Sequence, residues 1–159
     1  MGKNKAFTLI EILVVTTIIL LFSGVVLTRY NNYTQELKLK NEAKKMLDVV
    51  ELTKKKALSA ELFDSNCTSF TGYRVTISPT TYSMLFGCAS VYSTVQNYNL
   101  TTNITVTTGN GDYDFPPLMI NPIFISNTIR FKNSVISKCV DISVSALGIF
   151  ELDDTLIGC

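Results

Sequence analysis

Histidine is absent from this 159-residue chain, and so is tryptophan. Without histidine the chain lacks the commonest general base and metal ligand near neutral pH, and no nucleophile motif or phosphate-binding loop stands in for it. An enzyme is therefore not expected, nor a metal or a cofactor. Proline is scarce: none of the four precedes Pro79, and no glycine lies between Gly24 and Gly72. Nothing in that stretch breaks a helix. Cysteine is limited to Cys67, Cys88, Cys139 and Cys159, and no pair has the CxxC spacing of a metal or redox site. An even count suits two disulfides in an oxidising compartment; buried free thiols are the alternative. Excess positive charge is also missing where a nucleic acid would need it. Residues 64–159 hold four basic side chains against seven acidic ones, so nucleic acid is not expected as a partner.

What the chain does have is a long apolar run. Residues 7–27 contain one charge in 21 positions, Glu11, and follow a short basic leader with Lys3 and Lys5. As a helix the run spans about 31 Å, close to the roughly 30 Å hydrocarbon thickness of a bilayer, so it reads as a transmembrane segment. It is longer than the core of a cleaved secretory signal and has no small-x-small site after it. A carboxylate inside such a span is a functional hypothesis by default, because burying it in lipid is costly.

Downstream, Leu39, Ala43, Met46, Val50, Thr53, Ala57 and Ala60 recur every three or four residues while Lys44, Glu51 and Lys55 fall off the stripe. This predicts an amphipathic helix that continues the apolar one to about Leu62. The pattern then changes to alternation. Tyr73-Arg74-Val75-Thr76-Ile77 and Tyr82-Ser83-Met84-Leu85-Phe86 flank the turn Ser78-Pro79-Thr80-Thr81, which predicts a hairpin. Further strands are expected at residues 97–107, 128–132, 138–145 and 149–152, with loops at Gly109-Asn110-Gly111-Asp112, at Phe115-Pro116-Pro117 and at Ala146-Leu147-Gly148. The fold class is α+β: a long N-terminal helix, membrane-spanning in its first half and amphipathic in its second, packed against a mainly antiparallel β head. Domain bounds follow as 1–6 leader, 7–28 transmembrane helix, 29–63 amphipathic continuation and 64–159 head. A first hairpin centred between Pro79 and Thr80 puts Cys88 opposite Thr71, four residues from Cys67. A last hairpin centred on Leu147 puts Cys139 opposite Thr155, four from Cys159. Of three connectivities, Cys67–Cys88 with Cys139–Cys159 is preferred.

Lys5-Ala6-Phe7-Thr8-Leu9-Ile10-Glu11 and the apolar run behind it resemble the leader junction and mature start of type IV prepilins and of the pseudopilins of type II secretion. The stretches "GYRVTISPTTYSML", "YNLTTNITV", "IRF" and "VDISVSALGIFEL" are loosely similar to the H-type minor pseudopilins and related fimbrial minor pilins. The resemblance implies cleavage between Ala6 and Phe7 by a prepilin peptidase and N-methylation of Phe7. It also implies insertion in the bacterial inner membrane as a single-pass protein with the head outside the cytoplasm, then assembly into a periplasmic or extracellular filament. Other pilin or pseudopilin subunits, the prepilin peptidase, an inner-membrane assembly platform and the lipid bilayer are the implied partners. Cleavage would create an α-ammonium at Phe7, and Glu11 of one subunit could pair with the Phe7 amine of the next. A Glu11 that merely snorkels to the headgroups is the competing reading. A single-span receptor or adhesin with a ligand-binding head is the alternative function.

Other features have plainer readings. Asp112-Tyr113-Asp114 lacks the full calcium-loop spacing and reads as a solvated turn. Lys54-Lys55-Lys56 reads as the solvated side of the helix. Phe115-Pro116-Pro117-Leu118-Met119 is expected to pack, with an exposed apolar contact as the alternative. The basic residues Arg29, Lys38, Lys40, Lys44 and Lys45 follow the span and outnumber Lys3 and Lys5 before it, against the positive-inside trend. The cysteines and the resemblance favour an external head all the same.

Overall fold

Most of the stretch without helix breakers is helical. The computed structural model describes residues 8–119 and 124–159, with side chains at all of these except 24–28 and 119. The first helix, α1 (Leu9–Leu58), is 50 residues long. The chain divides into two compact units, Met1–Thr34 and Gln35–Cys159.

In the first unit, side chains 8–23 are all exposed, including Leu9, Ile10, Leu20, Leu21 and Phe22. Apolar residues on every side of a helix need an apolar medium or other chains to cover them. Among the described residues no helix is long and apolar enough to cross a membrane. Phe7 and side chains 24–28, which the sequence counts in the span, lie outside the described set.

In the second unit α1 is one-sided. Leu39, Ala43, Met46, Val50, Thr53 and Ala57 are fully buried, while Lys44, Lys45 and Asp48 between them are exposed. The Thr53 hydroxyl is no misfit in that stripe, because it donates to Val49 O at 2.6 Å. The helix stops at Leu58, short of the expected Leu62, and Ala60 lies outside it, exposed. Ala60 takes a left-handed conformation (φ 48°), with Glu61 N–H donating to Lys56 O and Ala60 N–H to Ala57 O. These two bonds close a Schellman turn, a stop usually signalled by glycine.

Eight strands follow: β1 (Phe70–Ile77), β2 (Thr81–Cys88), β3 (Val91–Asn99), β4 (Ile104–Thr108), β5 (Gly111–Phe115), β6 (Asn127–Asn133), β7 (Lys138–Val144) and β8 (Phe150–Gly158). They form two antiparallel sheets, ordered β3-β2-β1-β5 and β4-β6-β7-β8. Alternation turns Tyr73, Val75, Tyr82, Met84 and Phe86 of one sheet, and Ile129, Phe131, Val140 and Ile142 of the other, into the core shared with the α1 stripe. The sheets are stitched where Val106 N–H donates to Pro79 O at 2.9 Å.

The sequence expectations need three corrections here. Residues 97–107 are not one strand, since β3 ends at Asn99 and β4 begins at Ile104 around Asn103 with φ 72°. Asn tolerates that conformation and supplies the turn. The glycine-rich stretch read as a loop contains β5, which pairs with β1 from Gly111↔Ile77 to Phe115↔Tyr73. Gly72 permits this, because a Cβ there would sit 2.3 Å from Phe115 O. β8 is also longer than the expected 149–152.

Cys67 is bonded to Cys88 and Cys139 to Cys159. Both hairpins are centred where the alternation placed them, with Ile77↔Tyr82 and Val144↔Phe150. Bulges then bring each pair closer than simple counting gives: Cys88 stands opposite Phe70 rather than Thr71, and Cys139 opposite Ile157 rather than Thr155.

Candidate assembly site

Glu11 sits in the first turn of α1 and is held locally. Its Oε2 accepts from the Thr8 backbone N–H at 3.0 Å and from the Thr8 hydroxyl at 3.0 Å, while Glu11 N–H donates to Thr8 Oγ1 at 3.3 Å. This is a reciprocal cap on a helix start, pairing N–H groups that would otherwise be orphaned. Thr8-Leu9-Ile10-Glu11 carries its Thr-x-x-Glu signature in the sequence, a second role for Glu11 that its charge alone does not suggest. Oε1 has no hydrogen-bond partner among the described residues and stays available to a cation from outside.

Two further hydroxyls of this stretch are settled within the helix. Thr16 and Thr17 hydroxyls both donate to Leu13 O, at 3.0 and 2.7 Å. A segment with such back-bonds presents little unsatisfied polarity to an apolar surrounding. Ala6 and Phe7, the residues of the expected cleavage and methylation, lie outside the described residues.

In the second unit, the sequence did not signal the main polar clusters. Glu42 is 4% exposed, and its Oε1 accepts from Lys45 Nζ at 3.0 Å and from Thr101 Oγ1 at 2.6 Å. Nearby Tyr82 has its pKa pushed up to about 12, chiefly by burial and further by Glu42, Tyr98 and Asp48. At the helix's first turns in this unit, the buried Asn133 amide donates to Gln35 Oε1 at 3.1 Å, and Lys138 pairs with Glu36. On the outer face of the first sheet, Arg74 bridges Asp114 (2.6 Å) and Asp112 (2.8 Å) and stacks over Tyr92, 4.0 Å from the ring centroid. Those aspartates belong to a strand and an ion-pair cluster rather than to a solvated turn. The lysine triplet is partly engaged: Lys54 donates to Gly148 O, and Lys56 pairs with Glu61. Phe115 is fully buried whereas Leu118 is 59% exposed, so the Phe-Pro-Pro-Leu segment packs at one end only.

A family model described as the prokaryotic N-terminal methylation motif matches residues 1–27. The match is a type IV pilin-like leader. It covers the basic residues, Ala6, Phe7, Thr8 and Glu11, and ends at Leu27, where the apolar run ends. No curated protein and no solved structure matches the chain. A pilin-like leader suggests a membrane-anchored precursor, processing by prepilin peptidase and assembly with other pilin subunits.

Proposed function

We propose that the chain is a non-enzymatic structural subunit, inserted in the bacterial inner membrane through residues 7–28 with its head outside the cytoplasm. Prepilin peptidase cuts between Ala6 and Phe7, Phe7 is N-methylated, and an inner-membrane platform assembles the product into a type IV pilus or a type II secretion pseudopilus. By the β signatures it is a minor subunit of the H type. One observation carries the reading: within the matched motif, the sole charge of residues 8–23, a stretch apolar on all sides, sits in the first turn of α1, with one oxygen capped and the other without a hydrogen-bond partner among the described residues. The new Phe7 ammonium of the neighbouring subunit is the cation that Oε1 meets, and the pair sets the axial register of the packed helices.

Because Glu11 also caps the helix, two substitutions separate its roles. Glu11→Gln keeps a side chain that serves in such caps but removes the charge. Precursor should reach the membrane normally, while incorporation into sheared filaments or cross-linked pseudopili falls by the equivalent of about 3 to 5 kcal/mol if the pair is fully buried. Thr8→Val removes the capping hydroxyl, keeps the carboxylate and should cost only about 0.5 to 2 kcal/mol of helix stability. Intact mass of incorporated subunits should show loss of Met1 to Ala6 and gain of one methyl. Equal incorporation of Glu11→Gln and the parent would refute the register pair.

A further inference from the structure

A groove of about 330 Å³ runs between α1 and the turn that joins β3 to β4, with Lys38, Lys44, Lys45 and Asp48 on one side and Thr101 on the other. Its floor is already satisfied, since Glu42 is shared by Lys45 and Thr101. The rim is not. Lys38 and Lys44 are exposed and have no carboxylate partner among the described residues. The acid on the rim, Asp48, leaves an excess of positive charge.

The opposite imbalance lies on β8, an edge strand. Glu151, Asp153 and Asp154 are exposed there and take part in none of the ion pairs among the described residues. Asp153 faces Asp141 across the strand pair, a like charge that the Arg130–Asp141 bridge leaves uncompensated on the β8 side. No lysine or arginine occurs in β8. Groove and strand share no residue and are not each other's partners within the chain.

We propose that the lysine groove receives the acidic edge of β8 from a second copy of this chain. The contact joins two different surfaces, so it repeats from copy to copy instead of closing a symmetric pair. Lys38 and Lys44 are about 9 Å apart along the helix axis. Glu151 and Asp153 are about 7 Å apart along the strand, a mismatch that flexible lysine stems absorb. Exposed pairs of this kind are individually weak and screened by salt. Their contribution is the orientation of one head on the next rather than the whole binding energy. The inference rests on the chain being a subunit that assembles with others.

Zero-length carbodiimide cross-linking of the full chain in host membranes tests it, with isotopically light and heavy copies mixed to identify links between molecules. Peptides joining Lys38 or Lys44 to Glu151, Asp153 or Asp154 across the two labels are expected. Lys38→Glu with Lys44→Glu should lower dimer yield about tenfold or more, as should Glu151→Lys with Asp153→Lys, and combining all four in one chain should restore it. Copies that cross-link elsewhere, or a yield indifferent to the reversals, would overturn the groove contact and leave the assembly reading standing. Links from the groove to another protein's acids would overturn the choice of occupant. No link between copies together with no incorporation into filaments would sink both.

Discussion

Residues 9–23 and residues 35–58 belong to one helix, yet they treat polar and apolar side chains in opposite ways. In the first stretch apolar groups point in every direction, and the polar side chains of Glu11, Thr16 and Thr17 bond within four residues, Glu11 with Thr8 and both threonines with Leu13. In the second, the apolar groups form one buried stripe, and polar groups reach far along the chain. Glu42 meets Thr101 across 59 positions, Gln35 meets Asn133 across 98, and Glu36 meets Lys138 across 102. The first stretch draws its hydrogen bonds from its own turns and needs nothing from the head. A helix that belongs to a core is specified by the core.

The comparison breaks most sharply on matched leucines. Leu39→Ala should destabilise the head by about 2 to 5 kcal/mol, since it empties a fully buried site between helix and sheet. Leu20→Ala, on the same helix but 73% exposed, should leave the head's urea midpoint unchanged. A fragment beginning near Arg29 should therefore fold as a two-disulfide monomer with the stability of the head in the full chain. A Leu20→Ala effect of similar size to that of Leu39→Ala would erase the distinction.

A smaller effect sharpens the second region alone. Burial pushes the Tyr82 hydroxyl up to about 12 in the folded head, whereas an unfolded tyrosine ionises at about 10. The folded state thus holds its proton more tightly. This contribution to stability is complete below pH about 10 and is lost as the pH rises from there to about 12. The melting temperature of the head should fall across that window, and Tyr82→Phe should flatten the fall. An unaltered slope in Tyr82→Phe would assign the loss to other groups.

The smallest change concerns the end of the helix. Ala60 holds a left-handed conformation that costs a non-glycine residue roughly 1 to 2 kcal/mol. Ala60→Gly should raise the stability of the head by about 1 kcal/mol, read as a higher urea midpoint. A lower midpoint would mean that the turn depends on the Ala60 methyl group.

Local patterns were legible and distant ones were not. Six positions of the three-and-four stripe are fully buried, because periodicity on a helix reports directly which face is covered. The hairpin centres were legible for the same reason, as alternation and turn residues act over a few positions. The stop at Ala60 was hidden by the absence of glycine. β5 was hidden by its presence: Gly109 and Gly111 look like punctuation, but Gly111 opens a strand whose partner, β1, lies 34 residues back at Ile77. β8 looked short because Asp153 and Asp154 are poor strand formers, yet pairing with β7 and the Cys139–Cys159 bridge hold it through Gly158. At the candidate assembly site the motif itself was legible down to Glu11, while its cap was written as Thr-x-x-Glu in plain view. The Glu42–Thr101 contact has no local signal at all.

Bulges recur at the sheet borders, away from the cysteines. The two sheets expose four border strands, and two of them, β3 and β4, each carry one extra residue, at Val95 and Thr107. The other two, β5 and β8, carry aspartates, at Asp112 and Asp114 and at Asp153 and Asp154. An extra residue throws a neighbouring backbone out of step, and the aspartates of β8, which no cation pairs among the described residues, repel a copy of the same strand, while those of β5 are drawn into the Arg74 cluster. In the proposed assembly, heads standing beside identical heads are thereby kept from zipping into amyloid-like ribbons, and adhesion between molecules is left to side chains, which can be placed, counted and reversed.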